Sequence, residues 1–182
     1  MIRRSAAALL AILALTACAE LQRLMPAEQL EFELAGRIAA RYRDEAATGN
    51  IAWRHAAQDD EMLITSPVGS TIARLVRDQD GVVLAAADGV EHRAADAEAL
   101  TERILGFRLP LNGLADWVRG RAAAGEPAVQ RRDAAGRLQT LEQGGWTIEY
   151  QAWREDGLPV RLRLVYPGIE LRLAIHEWKA VR

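Results

Sequence analysis

The sequence predicts a mostly β fold of the α+β class, an antiparallel sheet whose apolar face is covered by two short helices. Three observations carry this. Apolar and polar residues alternate with a period of two near both ends of the domain, residues that tolerate positive φ separate the apolar runs, and a central stretch switches to helical spacing.

In chain order, Phe32, Leu34, Ile38, Ala40 and Tyr42 fall on one parity, interrupted by Gly36, and Ile51, Trp53 and His55 form the next such run. Both read as half-buried strands. Asp59, Asp60 and Glu61 stand before Met62, Leu63 and Ile64 and read as a solvated hairpin turn; a calcium loop needs further ligands at alternate positions, and they are absent. The apolar strand ends in Thr65-Ser66-Pro67-Val68-Gly69-Ser70-Thr71, where Pro67 and Gly69 make a turn whose one greasy side chain is Val68. Tucked inward, Val68 belongs to a plain hairpin; pointing outward, it is an apolar tip of the kind that touches a membrane or a partner.

Asp80-Gly81, Asp88-Gly89, Ala135-Gly136, Gly144-Gly145, Asp156-Gly157 and Pro167-Gly168 supply the other turns, and strands joined this tightly are antiparallel. Asp96 caps a helix running to Leu105, with Leu100 and Ile104 on one side and Gly106 at its end. A second helix starts near Asn112, presents Leu114, Trp117 and Val118 at helical spacing and stops at Gly120. Toward the C-terminus Val160, Leu162 and Leu164 alternate against Arg161 and Arg163, then Ile169, Leu171, Leu173 and Ile175 against Glu170, Arg172 and His176. Two short helices are a modest cover for nine or more strands, which leaves room for an incompletely filled inner face.

Residues 1–17 read as an address rather than as structure, because Arg3 and Arg4 precede a short apolar run from Ala6 to Ala17. A dozen residues falls short of the roughly 20 that cross a bilayer as a helix. Leu15-Thr16-Ala17-Cys18 resembles the lipobox of bacterial lipoproteins and ends in the only cysteine of the 182 residues. In such proteins the sulfur takes a diacylglycerol and cleavage leaves the cysteine as an acylated N-terminus, so the resemblance makes Cys18 the lipidation site. A plain thiol in an ordinary cleaved signal peptide is the other reading. Ala19 rather than Asp follows, which favours the outer membrane over retention in the inner one. Residues 18–28, with Pro26, then form a lipidated tether, and residues 29–182 are the size of one domain.

With one cysteine there is no intramolecular disulfide, so the core alone must supply stability. Losing Arg3 and Arg4 from 23 basic residues, against 25 acidic ones, moves the formal charge from −2 to about −4, and nucleic acid is not an expected partner. Lys179 is the single lysine; the arginines are scattered along strands and read as solvated faces.

The chain shows no G-x-S-x-G elbow, no phosphate-cradling glycine loop, and no H-E-x-x-H or paired-cysteine motif. His55, His92 and His176 are far apart in sequence and read as strand or loop histidines on a wet face rather than as a metal triad. No catalytic residue, metal or cofactor is therefore expected. Trp53, Trp117, Trp146, Trp153 and Trp178 suit either a packed core or the wall of a pocket, and spacing does not choose between them.

A set of short pieces carries a family resemblance. They are Gly36-Arg37-Ile38-Ala39, Ser66-Pro67-Val68-Gly69-Ser70, Asp96-Ala97-Glu98-Ala99-Leu100, and Leu109-Pro110-Leu111-Asn112-Gly113-Leu114 leading to Trp117 and Gly120. Gln143-Gly144-Gly145-Trp146, Tyr150, Pro159 and Trp178 complete them. In this order and spacing, behind a lipobox, the chain resembles the LolB family, the outer-membrane receptors for lipoproteins in Gram-negative bacteria.

The resemblance spans nearly the whole domain and implies a strongly curved sheet, an incomplete barrel, closed by helices over an apolar cavity. It implies a monomer anchored by lipid in the outer membrane and facing the periplasm. Such a receptor accepts acylated lipoprotein cargo from a periplasmic carrier and inserts it into the membrane without nucleotide hydrolysis. The cargo's acyl chains need shielding, since exposing them costs on the order of tens of kcal/mol at about 0.8 per methylene. Pro67, Val68 and Gly69 match the family's protruding loop, where an exposed leucine usually assists insertion; valine here loses one methylene. The cavity residues implied are Trp53, Ile64, Leu100, Ile104 and Leu114 on one side of the sequence, and Trp117, Trp146, Ile148, Leu162 and Leu173 on the other. The alternatives are a lipid-anchored carrier of free lipids and a non-catalytic interaction scaffold with a packed core.

Overall fold

Alternating side chains run through eleven strands in a computed structural model that describes residues 30–57, 59–105 and 108–179. The first meander comprises β1 (Phe32–Tyr42), β2 (Glu45–Ala56), β3 (Asp59–Thr65), β4 (Thr71–Asp78), β5 (Gly81–Ala86) and β6 (Glu91–Ala94). Two helices follow, α1 (Ala97–Leu105) and α2 (Leu111–Val118). The second meander is β7 (Ala128–Arg132), β8 (Leu138–Gln143), β9 (Trp146–Trp153), β10 (Pro159–Tyr166) and β11 (Ile169–Lys179).

All strands lie in one sheet of order β6-β5-β4-β3-β2-β1-β11-β10-β9-β8-β7, with antiparallel pairing throughout. Short turns make each meander, and the long β1–β11 pairing joins the two in the middle. Among the described residues β6 and β7 have no further strand beside them, so the sheet stays open. Every residue of β7 is exposed, and Arg131 and Arg132 on it oppose edge-to-edge association.

The sheet has to curl. Eleven strands at a spacing of ~4.8 Å would span roughly 50 Å if flat, whereas helices of nine and eight residues are only about 13 Å long. Yet inner side chains from Phe32 on β1 to Ile175 on β11, by way of Val82, Leu84, Leu138 and Leu141 near the edges, are buried in one cluster. An incomplete barrel, its apolar parity inside and two helices across the opening, is the arrangement that buries them.

Gly36 shows how tightly the central pairing is drawn. The β1–β11 register shifts between Ala35 and Gly36, and a Cβ on Gly36 would lie 2.4 Å from the carbonyl oxygen of Ala174. The helix ends follow the sequence closely. Asp96 Oδ1 accepts the Ala99 N–H at 2.7 Å, as an N-cap should. α2 begins one residue earlier than its pattern suggests, at Leu111, because extended Pro110 supplies the turn into it. Gly106, read as the stop of α1, lies outside the described residues.

The obstacle at Gly36 is backbone, which cannot move aside without breaking the ladder. Gly36→Ala is therefore expected to destabilise the domain by about 2 kcal/mol, read as a lower urea midpoint.

Candidate functional site

The space under the helices is built around tryptophan. Trp117 on α2 is 1% exposed, meets Trp146 on β9 at 6.1 Å between ring centroids, and Trp146 in turn meets Tyr166 at 5.2 Å. A buried indole N–H needs an acceptor, and Trp117 Nε1 donates to Gln143 Oε1 at 2.9 Å. The Gln143 amide donates onward to the carbonyls of Ala123 and Glu126. Tyr150 donates its hydroxyl to the carbonyl of Trp117 at 2.9 Å. Burial pushes that hydroxyl well above its ordinary range, so it stays a neutral donor. These bonds bolt α2 to β8 and β9.

Of the ten residues expected around a cavity, Trp53, Leu100, Leu114, Trp117, Trp146, Ile148, Leu162 and Leu173 sit in the buried cluster. Ile104 is half-buried against it, and Ile64, also half-buried on β3, stands apart from it. Side chains thus fill this space in the structure described. The two helices differ in how they are held. α2 has the Trp117 and Tyr150 bonds, a further one from Arg77 to Asn112 Oδ1, and the Arg119–Glu31 pair at its C-terminal end. From α1, Arg103 donates to the Arg93 carbonyl at 2.8 Å, and Thr101 Oγ1 accepts the Leu109 N–H at 2.9 Å.

Two expectations are corrected here. The acidic run 59–61 is not a solvated turn but the start of β3, where Asp60 points inward and is 1% exposed. His55 is not on a wet face either; it is 3% exposed on the inner parity of β2. Strand register explains both, because His55 pairs directly with Asp60 and Asp60 with Arg77. Asp60 Oδ1 accepts from Trp53 Nε1 at 2.7 Å and contacts His55 Nδ1 at 2.8 Å, while Arg77 makes an ion pair with Oδ2.

The network continues toward α2. His55 Nε2 is 4.0 Å from Glu31 Oε2, which accepts from Arg119 Nη1 at 2.6 Å. Arg119 also lies over the Phe32 ring. Its hydrogen bond holds the Glu31 carboxyl below the ordinary value of 4.5. A depressed carboxylate stabilises the fold fully above its unfolded value, and that contribution is lost as pH falls through the folded value. Reading every arginine as a solvated face missed Arg77 and Arg119, whose side chains are 12% and 6% exposed. Only the parity of His55 hinted at this network.

Val68 points outward and is 89% exposed. The loop that presents it is closed by backbone bonds, Ser66 N–H to Ser70 O at 2.7 Å and Gly69 N–H to Ser66 O at 2.9 Å. The Ser70 N–H also donates to Ser66 Oγ at 3.1 Å. Gly69 takes a φ of 92°, open to glycine at no steric cost. An apolar side chain is held in water by a tight turn, which local folding alone does not favour.

The fold and these features define a class: an open antiparallel half-barrel, covered by two helices over an apolar interior and carrying an exposed apolar loop. The family model described as outer membrane lipoprotein LolB matches residues 30–178. The chain belongs to the LolB family of outer membrane lipoproteins. It is 36% identical over 188 residues to the outer-membrane lipoprotein LolB of Chromobacterium violaceum, covering 98% of this chain and 100% of that one. Against the LolB of Ralstonia nicotianae it is 41% identical over 126 residues, spanning 67% of this chain and 60% of the relative's length. A solved LolA superfamily protein from Nitrosomonas europaea superposes with a TM-score of 0.48 at 13% identity, covering 83% of this chain and 86% of that one. Cys18, the leader 1–17 and the tether 18–28 lie outside the described residues.

Asp60→Asn keeps an acceptor for Trp53 but leaves Arg77 without its charge partner in a largely buried site. A loss of about 3 kcal/mol is expected, measured by urea unfolding at neutral pH; an unchanged midpoint would show that the pair contributes nothing.

Proposed function

We propose that this chain is an outer-membrane receptor, anchored by lipid on Cys18, that takes acylated lipoproteins from a periplasmic carrier and inserts them into the membrane. The observation that carries the reading is the conjunction of an exposed Val68, held out by a closed turn, with an apolar interior under a small helical cover. The tether of residues 18–28 would reach up to roughly 40 Å if extended.

Acyl chains would enter by displacing the cover, and α1, which among the described residues has fewer side-chain hydrogen bonds to the sheet than α2, is the part that moves. Trp53, Leu100, Ile104, Leu114, Trp117, Trp146, Ile148, Leu162 and Leu173 then line the opened space, with Ile64 at its margin. Transfer runs downhill from carrier to receptor to bilayer, because a ligand moves only by its difference in affinity between the sites. The reading has no catalytic step, no metal and no cofactor, and the receptor acts as a monomer.

The filled interior favours a second reading, an interaction scaffold whose core never opens. One experiment separates the two. A fluorescent acylated lipoprotein is loaded on its carrier from the same organism and offered, without ATP, to this domain free of its own anchor. The receptor reading expects transfer on pull-down, lowered at least tenfold by Ile104→Asp in a variant with a native circular dichroism spectrum. Val68→Glu should accept cargo like the parent yet fail to deliver it to vesicles. Folded parent that accepts no cargo would leave the scaffold; delivery by Val68→Glu at the parent rate would remove the role of the loop.

A further inference from the structure

On the face of the sheet opposite the core, the strand register lines up one row, Asn50, Arg37, Ala174 and Arg161, across β2, β1, β11 and β10. The next row toward the β1–β2 turn brings Thr48, Ala39, Arg172 and Arg163. These residues alternate with the core-facing Ile38, Leu162 and Leu173, so their side chains point away from the interior. Ala39 and Ala174 offer only methyl groups between long arginines, and the result is a groove.

Two adjoining clefts of about 470 and 370 Å³ share Arg37, Arg161 and Ala174. Pro67, the neighbour of Val68, stands on the wall of the larger one, and Asn50 Nδ2 donates to the Ser66 carbonyl at 3.3 Å. The groove therefore begins where the exposed loop begins.

Charge decides what the groove fits. Arg163 is held by Glu149 and Glu170, and Arg172 by Glu170. Among the described residues neither Arg37 nor Arg161 has a carboxylate partner, and both are exposed. Two strand steps, ~10 Å, separate their backbones, so flexible guanidinium groups across a floor of alanine can converge on one anion or take two neighbouring ones. Guanidinium matches phosphate with paired hydrogen bonds. Asn50, Thr48 and Gln151 on the same cleft add neutral donors.

We infer that this outer groove binds the phosphates of anionic phospholipid headgroups while Val68 enters the bilayer beside it. The inference rests on the membrane-touching reading of the loop. Headgroups are the source to which the geometry points, because the groove adjoins the loop that carries Val68, the most exposed large apolar side chain among the described residues, and a lipid phosphate sits just above the depth an apolar side chain reaches. The pair sets an orientation: the loop inserts and the arginines hold the sheet against the surface.

The test uses the mature chain, residues 18–182 carrying Cys18→Ser, so that neither leader nor acyl anchor contributes, floated with vesicles of phosphatidylcholine alone or of phosphatidylcholine and phosphatidylglycerol at two to one. Arg37→Gln with Arg161→Gln should lower partition onto the anionic vesicles about thirtyfold, at roughly 1 kcal/mol per basic residue near such a surface, and leave partition onto neutral vesicles unchanged. Parent binding to anionic vesicles should fall to the neutral level at molar salt, where the Debye length is ~3 Å. Both residues are exposed and have no ion-pair partner among the described residues, so the melting temperature of the double variant should match the parent's.

Equal partition of parent and double variant onto anionic vesicles would overturn the inference. So would a double variant that binds vesicles normally but no longer accepts cargo from the carrier, which would assign the groove to an acidic protein face. Val68→Glu reads the loop separately: it should weaken binding to both kinds of vesicle. If it does not while the arginine variant still loses its anionic preference, the groove stands and the reading of the loop falls.

Discussion

Two helices of nine and eight residues cannot cover eleven flat strands, and the other features follow from how the chain meets that shortfall. Curling lets the sheet bury most of its apolar parity against itself. The helices then close an opening rather than coat a face. Curling in turn draws β1 and β11 together along their length, with a bare glycine where the Ala174 carbonyl comes within 2.4 Å of any Cβ. It also puts the outward parity on a convex face where arginines stand apart, with alanines between them.

The cover is fastened unevenly. Trp117, Gln143 and Tyr150 hold α2 to the second meander, Arg77 and Arg119 hold it to the first, and the partners of those arginines are buried or half-buried carboxylates. Buried charge is a costly fastener unless every member is paired, and it then resists partial opening, because separating one partner strands the other. Among the described residues α1 has fewer polar ties and leans on Leu100 and Ile104 for apolar contact. Apolar contact without directional bonds can be exchanged for contact with another apolar group at little net cost, which is the property a movable cover needs.

Strand alternation, the turn pairs and the Asp96 cap made most of this fold legible, since each is a local rule that the sheet enforces again at long range. Gln143-Gly144-Gly145-Trp146 marked a turn that proved also to carry the acceptor for Trp117. Asp60 was misread for a physical reason. Three acidic residues in a row are usually solvated, and only the partners across two strand pairings, His55 and Arg77, make an inward carboxylate affordable. The outward direction of Val68 was likewise open until the closed Ser66–Ser70 turn settled it. The filled interior was not legible at all, since period and parity say which side chains face inward but not whether they meet.

That filled interior bears on how a receptor of this kind could release what it holds. A binding-competent state that is only a fraction of the population weakens apparent affinity by that fraction. If Leu100 and Ile104 must leave the core before acyl chains enter, part of the burial gained by the chains is offset by burial lost between α1 and the sheet. A rigid, pre-formed cavity would keep the full gain and hold cargo more tightly. On the receptor reading, a half-barrel whose inner side chains are buried against one another would exchange that contact for contact with acyl chains, which favours passage over retention.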